Sequence, residues 1–168
     1  MIDKSTKNEK PDMPKREGES RREKASDVMT ANPQTVNEKQ TIREVARLMV
    51  DKDCGAVPVI GENGRKVIGM ITDRDIVVRL VAEGKDPSTS KVSDAMSRNA
   101  RTIGEDMPLN QVLELMSKEQ VRRVPVVDKN GELIGIVAIA DIANQSRDEQ
   151  KLGQAITNIS EPGGRHTQ

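Results

Sequence analysis

The sequence predicts an α+β fold built from two copies of one repeat. Three observations predict it. A block of residues recurs 67 positions later; each copy carries one helix-period apolar stripe; and each copy carries two short apolar runs separated by a turn signal.

The recurrence is read residue by residue. Ser26-Asp27-Val28-Met29 returns as Ser93-Asp94-Ala95-Met96, and Thr35-Val36 as Thr102-Ile103. Ile42, Val45, Ala46 and Met49 return as Leu109, Val112, Leu113 and Met116. Val57-Pro58-Val59-Ile60 returns as Val124-Pro125-Val126-Val127. Beyond the turn the spacing falls to 66, so Ile68-Gly69 matches Ile134-Gly135 and Asp75-Ile76 matches Asp141-Ile142. Loss of one residue in a turn is readily tolerated.

Each element then follows from pattern. A short strand is expected near Thr35-Val36. The spacing Ile42, Val45, Ala46, Met49 is i, i+3, i+4, i+7 and predicts a helix with one buried stripe. Strands are expected over Ala56–Ile60 and over 66–71, with Asn63-Gly64 as the hairpin turn, whose central residues need positive φ. A second helix runs from Asp73 to about Glu83 and stops at Gly84. In the second copy the helix is expected over 109–118, strands over Val124–Val127 and 133–137, a turn at Asn130-Gly131 and a last helix from about Ala140. One copy cannot bury both its helical and sheet faces, so the two copies are expected to pack through their sheets.

The expected boundaries are 1–24 for a charged, disordered arm, 25–84 for the first copy and 85–91 for a polar connector. The second copy is expected over 92–146, and a tail over 147–168. The tail holds one more short helix, with Leu152, Ala155, Ile156 and Ile159 on one side, ended by Glu161-Pro162-Gly163-Gly164.

Composition narrows function. Lys plus Arg equals Asp plus Glu at 27 each, which removes any general electrostatic reason to bind nucleic acid or an anionic membrane. Phe, Tyr and Trp are all absent, so the core is aliphatic and no base can stack on an aromatic ring. The single cysteine, Cys54, excludes an internal disulfide and cysteine-rich zinc sites. It reads as a small core thiol. The single histidine, His166, falls in the tail. No nucleophile–base pair, metal cluster or Gly-x-x-x-x-Gly-Lys phosphate loop is present, so the chain reads as a non-enzyme with no metal and no cofactor. No apolar run approaches a membrane span, and a cytoplasmic location is expected.

The motifs resemble a known family. Asp27-Val28-Met29, Gly55-Ala56-Val57-Pro58-Val59 and the run from Gly69 to Ile76 are similar to the blocks of a CBS domain, as are their counterparts in the second copy. Two such copies in tandem look like a CBS-domain pair, or Bateman module, of the stand-alone bacterial and archaeal type. The resemblance implies two pseudo-two-fold-related βαββα units, a homodimer, and an adenine nucleotide such as AMP, ADP or ATP bound between the copies. It also implies the site. Thr72 and Asp75 would hold the ribose, Arg122 and Arg123 the phosphate, and Ala100, Arg101 and Thr102 the base. A second, weaker site would use Thr35 and Asp141, with Pro33 and Gln34 near its base. There Ala138 replaces the threonine, and Gly55-Ala56 replace the two arginines. One competent site per chain is therefore expected.

Plainer readings stand beside these. Thr72 and Asp75 also have the spacing of a helix capping box. Arg122, Arg123 and Arg101 could be solvated or paired charges. The module could signal to a protein target through its ligand, or could be a structural adaptor with no ligand.

Overall fold

The computed structural model describes residues 23–62, 64–145 and 149–161. Most of the expected arm, Asn63 of the first turn, His166 and the Pro162-Gly163-Gly164 stop lie outside the described residues.

In chain order the elements are α1 (Ala25–Val28), β1 (Thr30–Ala31), β2 (Val36–Asn37), α2 (Ile42–Asp51), β3 (Ala56–Ile60), β4 (Val67–Thr72) and α3 (Asp73–Ile76). α3 continues as a π-wound segment, Val77–Val81. A 3-10 turn at Val92–Asp94 leads to β5 (Ser97–Arg98), β6 (Ile103–Gly104), α4 (Leu109–Glu119), β7 (Arg123–Val127) and β8 (Leu133–Ala138). α5 (Ile139–Gln145) and α6 (Glu149–Ser160) follow.

Local chemistry sets the element ends. Thr41 caps α2 with a full box: its N–H donates to Glu44 Oε2 at 2.7 Å, and Glu44 N–H donates back to Thr41 Oγ1 at 3.3 Å. Those bonds from Thr41 hold the Glu44 carboxyl below the usual carboxylate range. Gly84, at φ 64, follows the π-wound segment. α4 stops at Gln120, a non-glycine residue in the left-handed region at φ 54. The second turn differs from the expected form. Only Gly131 takes positive φ, because Asp128 caps the loop, accepting Asn130 and Glu132 N–H at 2.8 Å each.

Two four-stranded sheets form, with orders β2-β3-β4-β5 and β6-β7-β8-β1. In each, one parallel pair is followed by two antiparallel pairs. Each repeat thus supplies three strands of its own sheet, and the fourth comes from the other repeat. Thr30 pairs with Ile136, and Met70 pairs with Ser97. The sheets therefore cross the repeat bounds expected at 25–84 and 92–146. The leading segment of each repeat belongs to the sheet of the other, because that strand edge is the one left open. Glu23 and Lys24, expected in the arm, also join the second unit: Leu109 N–H donates to Glu23 C=O at 3.0 Å, and Lys24 Nζ lies 2.6 Å from Asp106 Oδ1.

Two glycines make the exchange fit. A Cβ on Gly69 would overlap the Ser97 carbonyl oxygen, and one on Gly135 would overlap the Met29 side chain. The crossing is clamped on one side by Arg79. Its Nη1 donates to Ala95 C=O at 2.6 Å and Met96 C=O at 2.9 Å, and its Nη2 to Ser97 Oγ at 3.2 Å. The residue 66 positions later is Gln145, so the second repeat lacks an arginine there.

The units pack through their sheets. Leu133 N–H donates to Arg65 C=O at 2.8 Å beside an antiparallel bridge between Lys66 and Glu132. Each unit has its own aliphatic core, one centred on Ile42, Val59 and Ile71 and the other on Val112, Met116 and Val124. Met29 packs against the second core and Met96 lies in the first, each against the other repeat. In α6, Ala155 and Ile159 are buried and Leu152 half-buried, but Ile156 is exposed at the edge of the stripe.

Replacing Gly69 or Gly135 by Ala should destabilise the protein by about 1–3 kcal/mol through overpacking at the crossing. Gly104→Ala, whose Cβ would meet nothing within 4 Å, should stay within about 0.5 kcal/mol of the parent. Denaturant unfolding followed by circular dichroism measures all three.

Candidate functional site

A cavity of about 430 Å³ lies between the units. The first unit contributes Gly55 and Ala56 at the start of β3 and Thr72, Asp73 and Arg74 at the junction of β4 and α3. The second contributes the turn from α4 to β7, Gln120 to Arg123. The end of α6, Ile159 and Ser160, forms the remaining wall.

Capping chemistry decides how the first unit presents itself. Thr72 is the N-cap of α3: its Oγ1 accepts Asp75 N–H at 3.1 Å and donates to Asp75 Oδ2 at 2.7 Å. Thr72 N–H donates to the same Oδ2 at 3.0 Å. Arg79 Nη2 stands 3.5 Å from Asp75 Oδ1. Asp75 is only 4% exposed and does not line the cavity. The carboxylate expected on the ribose therefore sits behind the wall, holding Thr72 in place. Its side chain is short, and the N-cap N–H and hydroxyl are its nearest donors. The hydroxyl proton of Thr72 is committed to Asp75, so toward the cavity Thr72 can only accept.

The cationic side is open. Arg122 is exposed and Arg123 half-buried. Among the described residues, neither they nor Arg74 has an ion-pair partner. Three arginines and one carboxylate, Asp73, line the cavity, Arg122 and Arg123 from the second unit and Arg74 beside Asp73 from the first. Gathered like charges are favourable only with an anion among them, and a guanidinium fork matches the oxygens of phosphate or carboxylate. Cys54, next to Gly55, is near enough to sense this charge. Burial pushes its thiol above the ordinary range, and Arg123 draws it part of the way back.

The remaining expected residues are placed elsewhere. Ala100 and Arg101 line a neighbouring cavity of about 340 Å³ that shares the Val121 wall. Arg101 is paired there, its Nε 3.4 Å from Glu119 Oε1. Thr102 lines neither cavity. Thr35 lines a depression along α2 with Gln40 and Arg43. Asp141 Oδ2 accepts Ala138 N–H at 2.8 Å, half of a capping box without the hydroxyl. The two repeat-equivalent positions Gly55-Ala56 and Arg122-Arg123, expected in separate clefts, face one common cavity. Sequence reasoning missed Asp73, Arg74, Gln120, Ile159 and Ser160. The first two were signalled by following an N-cap, and Ile159 by its place in the α6 stripe.

The family model for the CBS domain matches twice, over residues 25–82 and 92–148. The chain belongs to the CBS-domain family. It is a tandem CBS pair with similarity to stand-alone proteins. The CBS domain-containing protein YhcV of Bacillus subtilis is 42% identical over 134 residues, 80% of this chain and 93% of that one. Among solved structures, Hypoxic Response Protein I with two coordinated zinc ions superposes with a TM-score of 0.67 at 36% identity. That likeness covers 74% of this chain and 99% of that one; the protein of that name in the sequence comparison is from Mycobacterium tuberculosis. The CBS pair of protein MJ0100, in complex with 5-methylthioadenosine and S-adenosyl-L-methionine, gives a TM-score of 0.66 at 31% identity, covering 73% and 98%. Two enzymes also match, a homoserine O-acetyltransferase and an inosine-5'-monophosphate dehydrogenase, but over only 23% and 24% of their own lengths. Among the described residues no group of three or more metal-ligating side chains is gathered, and no helix is long and apolar enough to cross a membrane.

Because Thr72 caps α3, Thr72→Ala should cost about 1 kcal/mol of stability with no ligand present. Thr72→Ser should restore it. Thermal unfolding of the ligand-free CBS pair separates this structural role from any role in binding.

Proposed function

We propose that this CBS pair is a non-catalytic regulatory module that binds an adenine nucleotide or a related adenosine-bearing ligand. The binding place is the arginine-lined cleft. The observation that carries the reading is the group Arg74, Arg122 and Arg123, unpaired among the described residues, around one cavity shared by both units. A charge-assisted hydrogen bond from each to a phosphate contributes about 1.5–3 kcal/mol. Thr72 accepts a ribose hydroxyl, and Asp75 is its positioning residue rather than a direct contact. The base reaches toward Val121 and the Ala100-Arg101 segment, held by aliphatic and backbone groups, as a chain without aromatic residues requires. The likeness to MJ0100, whose CBS pair holds two adenosine compounds, supports this ligand class.

One such site per chain is proposed, since the arginine-free positions share the same cavity as Arg122 and Arg123. A cytoplasmic location and a protein target that reads the bound state belong to the same reading.

A thermal-shift series with AMP, ADP, ATP, S-adenosylmethionine and NAD tests it. A ligand at about a hundredfold its Kd should add roughly 2.7 kcal/mol of stability. The double variant Arg122→Ala, Arg123→Ala should lose that shift. If none of the five moves the melting temperature, the adaptor reading replaces this one.

The proposed assembly is a homodimer. Val77, Val78 and Val81 on the π-wound segment are 56%, 51% and 59% exposed. Their repeat equivalents are Ala143, Asn144 and Arg147, so the fold itself does not require valine there. A second copy covering this face accounts for the apolar choice. Val78→Glu should convert the dimer to a monomer in sedimentation velocity while leaving the circular dichroism spectrum unchanged.

A further inference from the structure

We propose that α6 is a ligand-responsive strap: its last turn is a wall of the cleft, and occupancy of the cleft holds it down on α4. This rests on the reading of the cleft as a ligand site and goes beyond it by assigning the element that carries the signal out.

The matched CBS residues end at 148, and α6 follows, so the strap lies outside the repeats. Ile159 has two roles at once. It is 3% exposed within the second core, and it lines the cleft beside Ser160. The end of α6 is tied to α4 by two side-chain bonds. Gln120 Nε2 donates to Asn158 C=O at 3.3 Å, and Asn158 Nδ2 donates to Ser117 Oγ at 2.8 Å. Gln120 is itself in the cleft wall, two residues before Arg122. An anion that draws Arg122 and Arg123 inward therefore sets the turn on which α6 is hung.

The docking of α6 is shallow enough to be tipped. A 12-residue helix is marginal in water by itself, and Gly153 weakens this one further. Among the described side chains of α6, Ala155 and Ile159 are buried and Leu152 is half-buried beside them. A ligand packed on Ile159 and Ser160 adds contacts that exist only in the docked state, so it shifts the population toward docking. Reciprocity then requires that the undocked state bind the ligand more weakly by the factor with which the ligand favours docking.

Hydrogen exchange on the full chain tests the strap, with the adenosine compound of the thermal-shift series that gives the largest shift as the probe and α4 amides as internal reference. The expected result is that amides of residues 150–160 exchange at least about fivefold more slowly with the probe bound, the lower end of usual coupling. Asn158→Ala and Ser117→Ala each remove the Asn158–Ser117 bond without touching the cleft and leave the Gln120 bond to the Asn158 carbonyl. Each should speed α6 exchange in the free protein, and the probe should slow it by the same factor as in the parent. Melting curves of both variants establish that they are folded. Binding that is lost in the Arg122→Ala, Arg123→Ala variant, yet leaves α6 exchange unchanged in the parent, overturns the strap and leaves the ligand site standing. Faster α6 exchange in both tie variants that the probe does not slow does the same. Absence of binding by all five compounds overturns both proposals.

Discussion

The rest of this molecule depends on the exchange of leading segments between its two repeats. Neither four-stranded sheet is complete without two residues from the other copy, and both crossings need a glycine where backbone or methionine passes too close for a Cβ. A strand of two residues contributes little by itself. Its value is that it satisfies an open sheet edge and carries Met29 or Met96 to the opposite core. The exchange ties each repeat to the sheet of the other.

Within that frame, the cleft is built by competition for hydrogen bonds. Asp75 is the clearest case. A carboxylate three residues after an N-cap threonine has a backbone N–H and a hydroxyl within reach, and a guanidinium behind it. Those partners hold it inside the wall, where it orients Thr72. The arginines on the other side have no such local partner among the described residues, because the turn from α4 to β7 places them at a strand start facing the opposite unit. On one side Thr72 and Asp75 satisfy each other; on the other, Arg122 and Arg123 have no ion-pair partner among the described residues.

The departures from repeat symmetry account for the asymmetry of the whole. Thr72 becomes Ala138, Gly55-Ala56 become Arg122-Arg123, and Arg79 becomes Gln145. The first change leaves the second capping box half-made. The second puts both arginines of the paired positions into a single cavity. The third leaves an arginine at one crossing alone. Along the π-wound segment the valines face outward, whereas the second unit has its helices covered by α6. A symmetric duplication has thus been turned into one cleft, one bare face and one strapped face.

Much of this was legible before any coordinates. The 67-residue recurrence, the stripe of Ile42, Val45 and Met49, the apolar runs around Pro58 and Pro125, and the helix in the tail are local patterns with local causes. So is the family, and with it the pairing of Thr72 with two arginines across a cleft. Other features were not legible. Two-residue strands have no periodicity to read, so the exchange between the sheets was invisible. The same spacing in Thr72 and Asp75 fits a ligand grip or a capping box, and only the surrounding donors decide between them. Ile159 reads as one more apolar residue of a stripe; that it closes a cavity depends on where α6 lies against a turn some forty residues earlier. The sequence by itself determined the elements, their order and the chemistry at hand. Which edges close which sheet, and which side chains face a common space, were decided by tertiary packing, because those contacts join residues far apart in the chain.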